Sequence, residues 1–200
     1  MIKPTRTIEN TLMKKYKYVA GVDEVGRGCL AGPVVAAVVI LGEEIEIPLL
    51  RDSKKLSKKQ RDRVAVAIKQ QSKVIGIGWV GDNEVDEHGL SWAVKESGLR
   101  ALRQLSLQPD FVILDGNQNY LDDTEYRSNA YIGADATESC VAAASIIAKC
   151  ARDNYMELVA RAHPAYGFES HVGYGTAKHK LALTEHGVTP QHRKSFAGVL

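Results

Sequence analysis

At 200 residues, with 44% hydrophobic and 25% charged side chains, the chain can bury a substantial core and has the balance of an ordinary soluble globular protein. A net charge of only +2 excludes a histone-like polycation, so any affinity for nucleic acid must come from local clustering of charge. There is no apolar run of about 18 residues, the first residues lack the apolar centre of a secretory signal, and three scattered cysteines (Cys29, Cys140, Cys150) form no C-x-x-C pair; a cytoplasmic protein without a membrane span is expected.

Residues 1 to about 16 are polar without a clear period and read as a loosely held arm. The stretch from Tyr18 to Gly28 reads as an apolar strand ending on two adjacent carboxylates, Asp23 and Glu24, followed at once by a glycine–arginine–glycine turn. The β-branched run Val34–Leu41, after Gly32-Pro33, predicts a buried strand paired with the first. Ser57-Lys-Lys-Gln60 has the capping-box pattern and opens a helix with Val64, Ala67 and Ile68 on its inner stripe. A third strand is expected at Val74–Val80. Leu90, Ala93, Val94, Ala101 and Leu105 then share helical spacing and predict a helix over about 86–106. Phe111–Leu114 is a fourth strand that ends on Asp115-Gly116, and Tyr131-Ile132 a short fifth. An alanine-rich helix is predicted over about 138–162, and the last forty residues read as shorter helices and loops. With no repeat and no low-complexity linker, the pattern is one α/β domain, its core at about 17–160 and a C-terminal helical extension at about 161–200.

Acids recur where strands end or helices begin: Asp23-Glu24, Asp115 and Asp135. In an open α/β sheet such positions gather at the carboxyl edge, where ligands bind. Several carboxylates close together cannot all ionise without positive charge between them, and hard oxygen ligands suit Mg²⁺ or Mn²⁺. Each acid also has a plainer reading. Asp115 can be a turn residue, Glu24 an exposed polar one, and Asp135-Ala-Thr-Glu138 fits a capping box for the long helix. Gly26 and Gly28 flanking Arg27 let backbone approach a sugar or phosphate while the guanidinium supplies charge; a tight turn is the alternative. A dinucleotide loop fails, because G-x-G-x-x-G needs glycine where the chain has Ala31.

Lys54, Lys55, Lys58, Lys59, Arg61 and Arg63 form a basic run that is either a solvated helix face or a grip on a nucleic-acid backbone. Near the C-terminus, Lys178, Lys180, Arg193 and Lys194 lie among Tyr166, Phe168 and Tyr174, a mixture that suits sugar stacking with phosphate contact. Five histidines follow residue 160 without metal-ligand spacing, so no zinc site is expected; His179 and His192 are expected to cap helices or touch phosphate.

Six blocks in order resemble ribonuclease HII, of the ribonuclease H-like superfamily. They are Ala20–Gly28 with Ala31–Val34, Asp52–Ser57, Ile113–Asn117, Ala142–Lys149 with Arg152-Asp153, His171–Thr176 and His192–Phe196. The resemblance implies a ribonuclease H-like core with a mixed central sheet flanked by helices. It implies an endonuclease that hydrolyses the RNA strand of RNA–DNA hybrids and cuts 5′ of ribonucleotides embedded in duplex DNA, leaving a 3′-hydroxyl and a 5′-phosphate. Asp23, Glu24, Asp115 and Asp135 would be its catalytic, metal-binding set for two divalent ions, Mg²⁺ or Mn²⁺. Gly26, Arg27 and Gly28 would read the ribose 2′-hydroxyl, Tyr174 would stack on the next sugar, and Lys54 and Lys55 would grip the backbone. Within that set Asp23 is expected to bridge the ions, with Glu24 and Asp115 on one and Asp135 on the other.

Several positions depart from the family pattern. Cys29 and Gly198 stand where proline is common, Gly133-Ala134 where Lys-Gly is typical, and Val172 where lysine is usual. The two absent lysines imply altered phosphate affinity or salt dependence. A monomer acting on hybrid or ribonucleotide-containing duplex is expected. The rival readings are a magnesium phosphatase or phosphotransferase with Asp23 as nucleophile, against which Tyr174 and the basic tail argue, and a non-catalytic hybrid-binding module, which would not need all four acids.

Overall fold

The computed structural model describes residues 4–51 and 53–200. Residues 1–3 of the expected arm, and Asp52 of the Asp52–Ser57 block, lie outside the described residues. In chain order the elements are α1 (Thr7–Met13), β1 (Val19–Val25), β2 (Val34–Leu41), α2 (Lys58–Gln71), β3 (Ser72–Val80), α3 (Asp82–His88) and α4 (Leu90–Arg103). They continue with β4 (Phe111–Asp115), β5 (Ser128–Tyr131), α5 (Ala134–Thr137), α6 (Ser139–Ala162), α7 (Phe168–His171) and α8 (Ala177–His186).

The unbroken β-branched and alanine run of β2 is buried on both faces, as a strand covered by helices on each side must be. It pairs antiparallel with β1 and with β3, while β1–β4 and β4–β5 are parallel, giving the order β3-β2-β1-β4-β5. This is the mixed sheet that the family resemblance implies. Alternation along the strands splits the core. Val19, Val39 and Ile113 face Val64 and Ile68 of α2 and Val141 and Ile147 of α6. Ala20, Val22, Val38 and Leu114 face Leu99 and Leu102 of α4. Among the described residues no helix is long and apolar enough to cross a membrane.

Four expectations need correction. The helix predicted over 86–106 is two helices, because Gly89 takes φ 84° and turns the chain between α3 and α4. The fifth strand precedes Ile132, at Ser128–Tyr131. The capping box at Asp135–Glu138 does not form: Asp135 sits inside the short α5, and Glu138 is the extended residue before α6, with no side-chain cap bond. Finally, the described part of the N-terminal arm is docked. The Glu9 N–H donates to the buried Glu138 carboxylate (2.9 Å), and the Cys140 N–H donates to the buried Glu9 carboxylate (3.2 Å), which Arg6 also pairs with at 2.6 Å. Each carboxylate thus serves the other helix's N-terminus, where orphan N–H groups and the helix dipole favour negative charge.

Candidate active site

Pairing register places the acids. Parallel β1 and β4 are matched up to Val22↔Leu114, so the next residues, Asp23 and Asp115, lie side by side where that pairing ends. The pleat sends Asp23 towards α6 and Glu24 to the opposite face. Gly21 makes the first of these contacts close: a Cβ there would run into the α6 backbone at Cys140–Val141, so only glycine lets the helix lie against β1. That approach brings Ser145 to Asp23, whose carboxyl it hydrogen-bonds, and Ser145 Oγ lies 2.9 Å from Ser53 Oγ. α5 supplies Asp135, whose N–H donates to Asp115 Oδ1 at 3.3 Å.

Asp23, Glu24 and Asp115 open on one cavity of about 250 Å³, shared with Gly26, Arg27, Gly28, Lys54, Ser145, Lys149 and Tyr174. Asp135 stands at its margin, nearly buried, with Lys54 Nζ 3.6 Å from its Oδ2. Burial, then repulsion from Glu24, Asp115 and Asp135, pushes the Asp23 carboxyl well above the usual range against the Ser145 hydrogen bond. Burial raises Glu24 as well, opposed by Arg27 Nη1 at 2.9 Å. A site with this strain prefers a cation beside it. The all-carboxylate donor set fits a hard divalent ion, although among the described residues no three His, Cys, Asp or Glu are gathered tightly enough to hold one as they stand.

The glycine–arginine–glycine turn is held from behind by two fully buried arginines. Arg152, on α6, donates Nε to Pro33 O (2.9 Å), Nη1 to Val172 O (2.8 Å) and Nη2 to Ala31 O (3.0 Å). Arg193 donates Nε and Nη2 to Gly32 O (3.0 and 2.6 Å) and Nη1 to Arg27 O (3.1 Å). Backbone bridges Cys29↔Tyr174 and Ala31↔His192 complete the clasp between turn and C-terminal extension. Arg27 and Gly28 remain at the surface, and Tyr174 is 40% exposed beside them.

The C-terminal expectations are only partly met. Of the three aromatics, Tyr166 and Phe168 are buried and Tyr174 alone is exposed. Arg193 spends its donors on carbonyls rather than on phosphate, and burial lowers its pKa to about 10. His179 and His192 are buried against each other instead of reaching solvent. In the basic run, Arg61 ties α2 to Asp153 (3.2 Å) and Lys58 pairs with Glu157 (2.7 Å), while Lys54 and Lys55 are exposed. Residues that motif reasoning left without a role are Ser145, Lys149 and Arg152. Their i, i+4, i+7 spacing places them on one face of α6, a polar stripe inside an alanine-rich helix that carries its own signal. Lys149 is steadied by Asp153 at 2.8 Å and points its Nζ at the Tyr174 ring, 5.9 Å from the centroid.

A family model described as Ribonuclease HII matches residues 20–199. A ribonuclease HII of Bacillus cereus is 46% identical over 96% of this chain and 74% of its own length. Among solved structures, ribonuclease H2 from Pyrococcus horikoshii superposes with a TM-score of 0.80 at 27% identity, covering 91% of this chain and 95% of that one. The ribonuclease HII of Archaeoglobus fulgidus, solved in a complex with PCNA, gives 0.76 at 28% identity over 90% and 95%.

Proposed function

The chain belongs to the ribonuclease HII family, a family of metal-dependent endonucleases acting on RNA–DNA hybrids, and on that premise we propose that it also cuts 5′ of single ribonucleotides embedded in duplex DNA. The products are a 3′-hydroxyl and a 5′-phosphate. In this reading Asp23, Glu24, Asp115 and Asp135 hold two divalent cations, Mg²⁺ or Mn²⁺, and the protein works as a cytoplasmic monomer. Bound cations would polarise the phosphoryl oxygens and activate water. The observation that carries the reading is the convergence of three acids on the cavity that also holds the glycine–arginine–glycine turn and Tyr174.

The protein's own groups divide the remaining work. Asp23 is desolvated and crowded by three other acids, so its carboxyl gains most from a cation and would be held in the ionised form by one. Arg27, Lys54 and Lys149 line the cavity and offset the acids' repulsion of a phosphate. The backbone of Gly26–Gly28 tests for the 2′-hydroxyl, the one group by which ribose differs from deoxyribose as donor and acceptor. Tyr174 offers its exposed ring to the neighbouring sugar. Water attacks, and the 2′-hydroxyl serves recognition alone, so no histidine pair is required as acid and base.

The test uses an end-labelled DNA duplex carrying one ribonucleotide, incubated in Mg²⁺, in Mn²⁺ and in EDTA beside an all-DNA control. Metal-dependent cutting just 5′ of the ribonucleotide is expected, with the control intact. Asp23→Asn should abolish cutting while keeping the circular dichroism of the fold. Cutting of a continuous hybrid but not of the single ribonucleotide would refute the junction reading. Near-normal rates in Asp23→Asn would refute the metal assignment.

A further inference from the structure

Behind Tyr174 lies a buried row of three histidines whose protons can be assigned from donors that have no choice. The Thr189 N–H donates to His192 Nδ1 at 2.8 Å, so the proton of a neutral His192 sits on Nε2. That Nε2 is 2.9 Å from His179 Nε2, which must then accept. The proton of His179 is thereby placed on Nδ1, 3.0 Å from the Tyr174 carbonyl oxygen, to which it donates. By the same logic the Gly173 N–H fixes His171 Nδ1 as an acceptor at 3.3 Å, and its Nε2–H donates to Tyr166 O at 2.8 Å. His171 stacks on His179 with centroids 4.6 Å apart and planes 14° apart, and Phe168 stands edge-on to both.

All three rings are thus neutral, each in one tautomer, and the row ends on the peptide of the exposed tyrosine. Tyr174 is held from this side at both backbone groups: its N–H donates to His171 O at 2.9 Å, and its carbonyl accepts from His179. The need for such a hold is visible two residues earlier. Val172 has φ 43°, a left-handed conformation costly for a β-branched residue, so the loop would not keep this shape unaided. Burial lowers the pKa of His179 and carries that of His192 down to about 4, consistent with rings that stay neutral at physiological pH.

We propose that the His192–His179 pair is a positioning relay for Tyr174, fixing the tyrosine's peptide through one oriented chain of hydrogen bonds and thereby setting the enzyme's discrimination for the RNA–DNA junction. The proposal rests on the reading of Tyr174 given above. Neither histidine touches substrate; both act through the tyrosine.

Asparagine and glutamine separate the two ring nitrogens, because the asparagine amide occupies the place of Nδ1 and the glutamine amide that of Nε2. His179→Asn keeps the donor to Tyr174 O, and His179→Gln loses it. For each, kcat/KM is measured on a duplex with one ribonucleotide and on a continuous RNA–DNA hybrid, together with Tm. His179→Gln should lower the ratio of junction to hybrid cleavage about tenfold, with His179→Asn within about threefold of the parent. Equal losses on both substrates in the two variants, following Tm, would make the histidine structural only and overturn the relay. If His179→Gln fails to fold, His192→Gln (which keeps the donor to His179) against His192→Asn (which does not) poses the same question, and the ratio should fall in the second alone. Tyr174→Ala is run alongside. A ratio unmoved by Tyr174→Ala would overturn the tyrosine reading itself, whereas a fall in Tyr174→Ala without one in His179→Gln would overturn only the relay. In the double variant His179→Gln should add nothing to Tyr174→Ala.

Discussion

Replacing Arg152 by methionine should uncouple the glycine–arginine–glycine turn from the sheet that carries Asp23. The guanidinium is fully buried and makes three hydrogen bonds, all to backbone carbonyls: Pro33, Ala31 and Val172. Bonds from a charged donor are worth about 1.5–3 kcal/mol each, so their loss sets a ceiling near 5–9 kcal/mol. Against this, burying an ion without a carboxylate costs several kcal/mol, which the methionine variant recovers. Methionine also fills most of the volume, leaving little cavity cost. The balance is a loss of about 3–5 kcal/mol, dominated by three stranded carbonyls. In a chain of this length each kcal/mol moves Tm by about 2–4 °C, so a fall of roughly 6–20 °C is expected. Urea unfolding gives the free energy and a thermal scan the Tm. Arg152→Lys should fall between, since one ammonium cannot span three carbonyls set around a planar fork. Junction cleavage, assayed well below Tm, should drop more than stability alone explains, because Ala31 and Val172 belong to the two loops the arginine joins. A loss under about 1 kcal/mol, or full junction cleavage in a destabilised variant, would refute the assignment of Arg152 as the clasp.

Two further outcomes follow from conformation and charge. Val172→Asn should raise stability by about 0.5–1 kcal/mol in urea melts, since asparagine tolerates the left-handed region that costs valine about 1–3 kcal/mol and the packing given up is partial; a lower midpoint would mean that contact with the Tyr155 and Met156 cluster outweighs the strain. Acid should destabilise the extension through His192, which faces His179, His171 and His163, the Thr189 N–H and the rings of Tyr166 and Phe168. Its folded pKa is depressed, to about 4 from 6.5, so its contribution is complete above pH 6.5 and is lost as pH falls towards 4; between pH 7.5 and 5 that amounts to roughly 1–2 kcal/mol. Asp23 and Glu24 are raised and pull the other way, so the measurement is the difference between parent and His192→Gln unfolding profiles, and parallel profiles would refute the link.

How much could be read from sequence depended on whether a feature is local. The strands β1 to β4 are legible because β-branched runs and the glycine-flanked boundaries of Val34–Leu41 carry a period or a composition of their own. The helix α2 is legible from its capping box, which forms as expected, with Ser57 Oγ accepting from the Gln60 N–H and Gln60 Oε1 from the Ser57 N–H. The break at Gly89 was hidden because the apolar spacing continues through it on both sides. The docking of α1 was hidden because Glu9 meets Glu138 across 129 positions, and nothing in a polar arm marks a carboxylate as bound for a distant helix terminus. Charge misled most. Arg193 and Arg61 look like surface cations in sequence, where composition cannot separate a guanidinium facing phosphate from one facing carbonyl oxygens, as Arg193 does, or a carboxylate within the fold, as Arg61 does. The same holds for His179 and His192, whose partners are each other and the backbone of Tyr174 and Thr189.

The buried arginines and the glycine turn answer one physical requirement. In the proposed reading the turn meets a sugar through its backbone, so its outward peptide groups stay free, and an internal bond such as that from the Cys29 N–H to Gly26 O (3.4 Å) cannot fix it as a ladder fixes a strand or helix. The shape must then be imposed from outside, by donors that reach its inward carbonyls, and a guanidinium does this best because its fork of N–H groups serves several carbonyls at once. Arg152 and Arg193 between them bond the carbonyls of Arg27, Ala31, Gly32, Pro33 and Val172, while Arg27 and Gly28 stay at the surface. Gly26 completes the logic, since at φ 98° any Cβ would strike Arg152 and the Pro33 carbonyl. The clasp and the missing side chain therefore depend on each other: an arginine close enough to fix the turn leaves room for nothing but glycine where the turn begins.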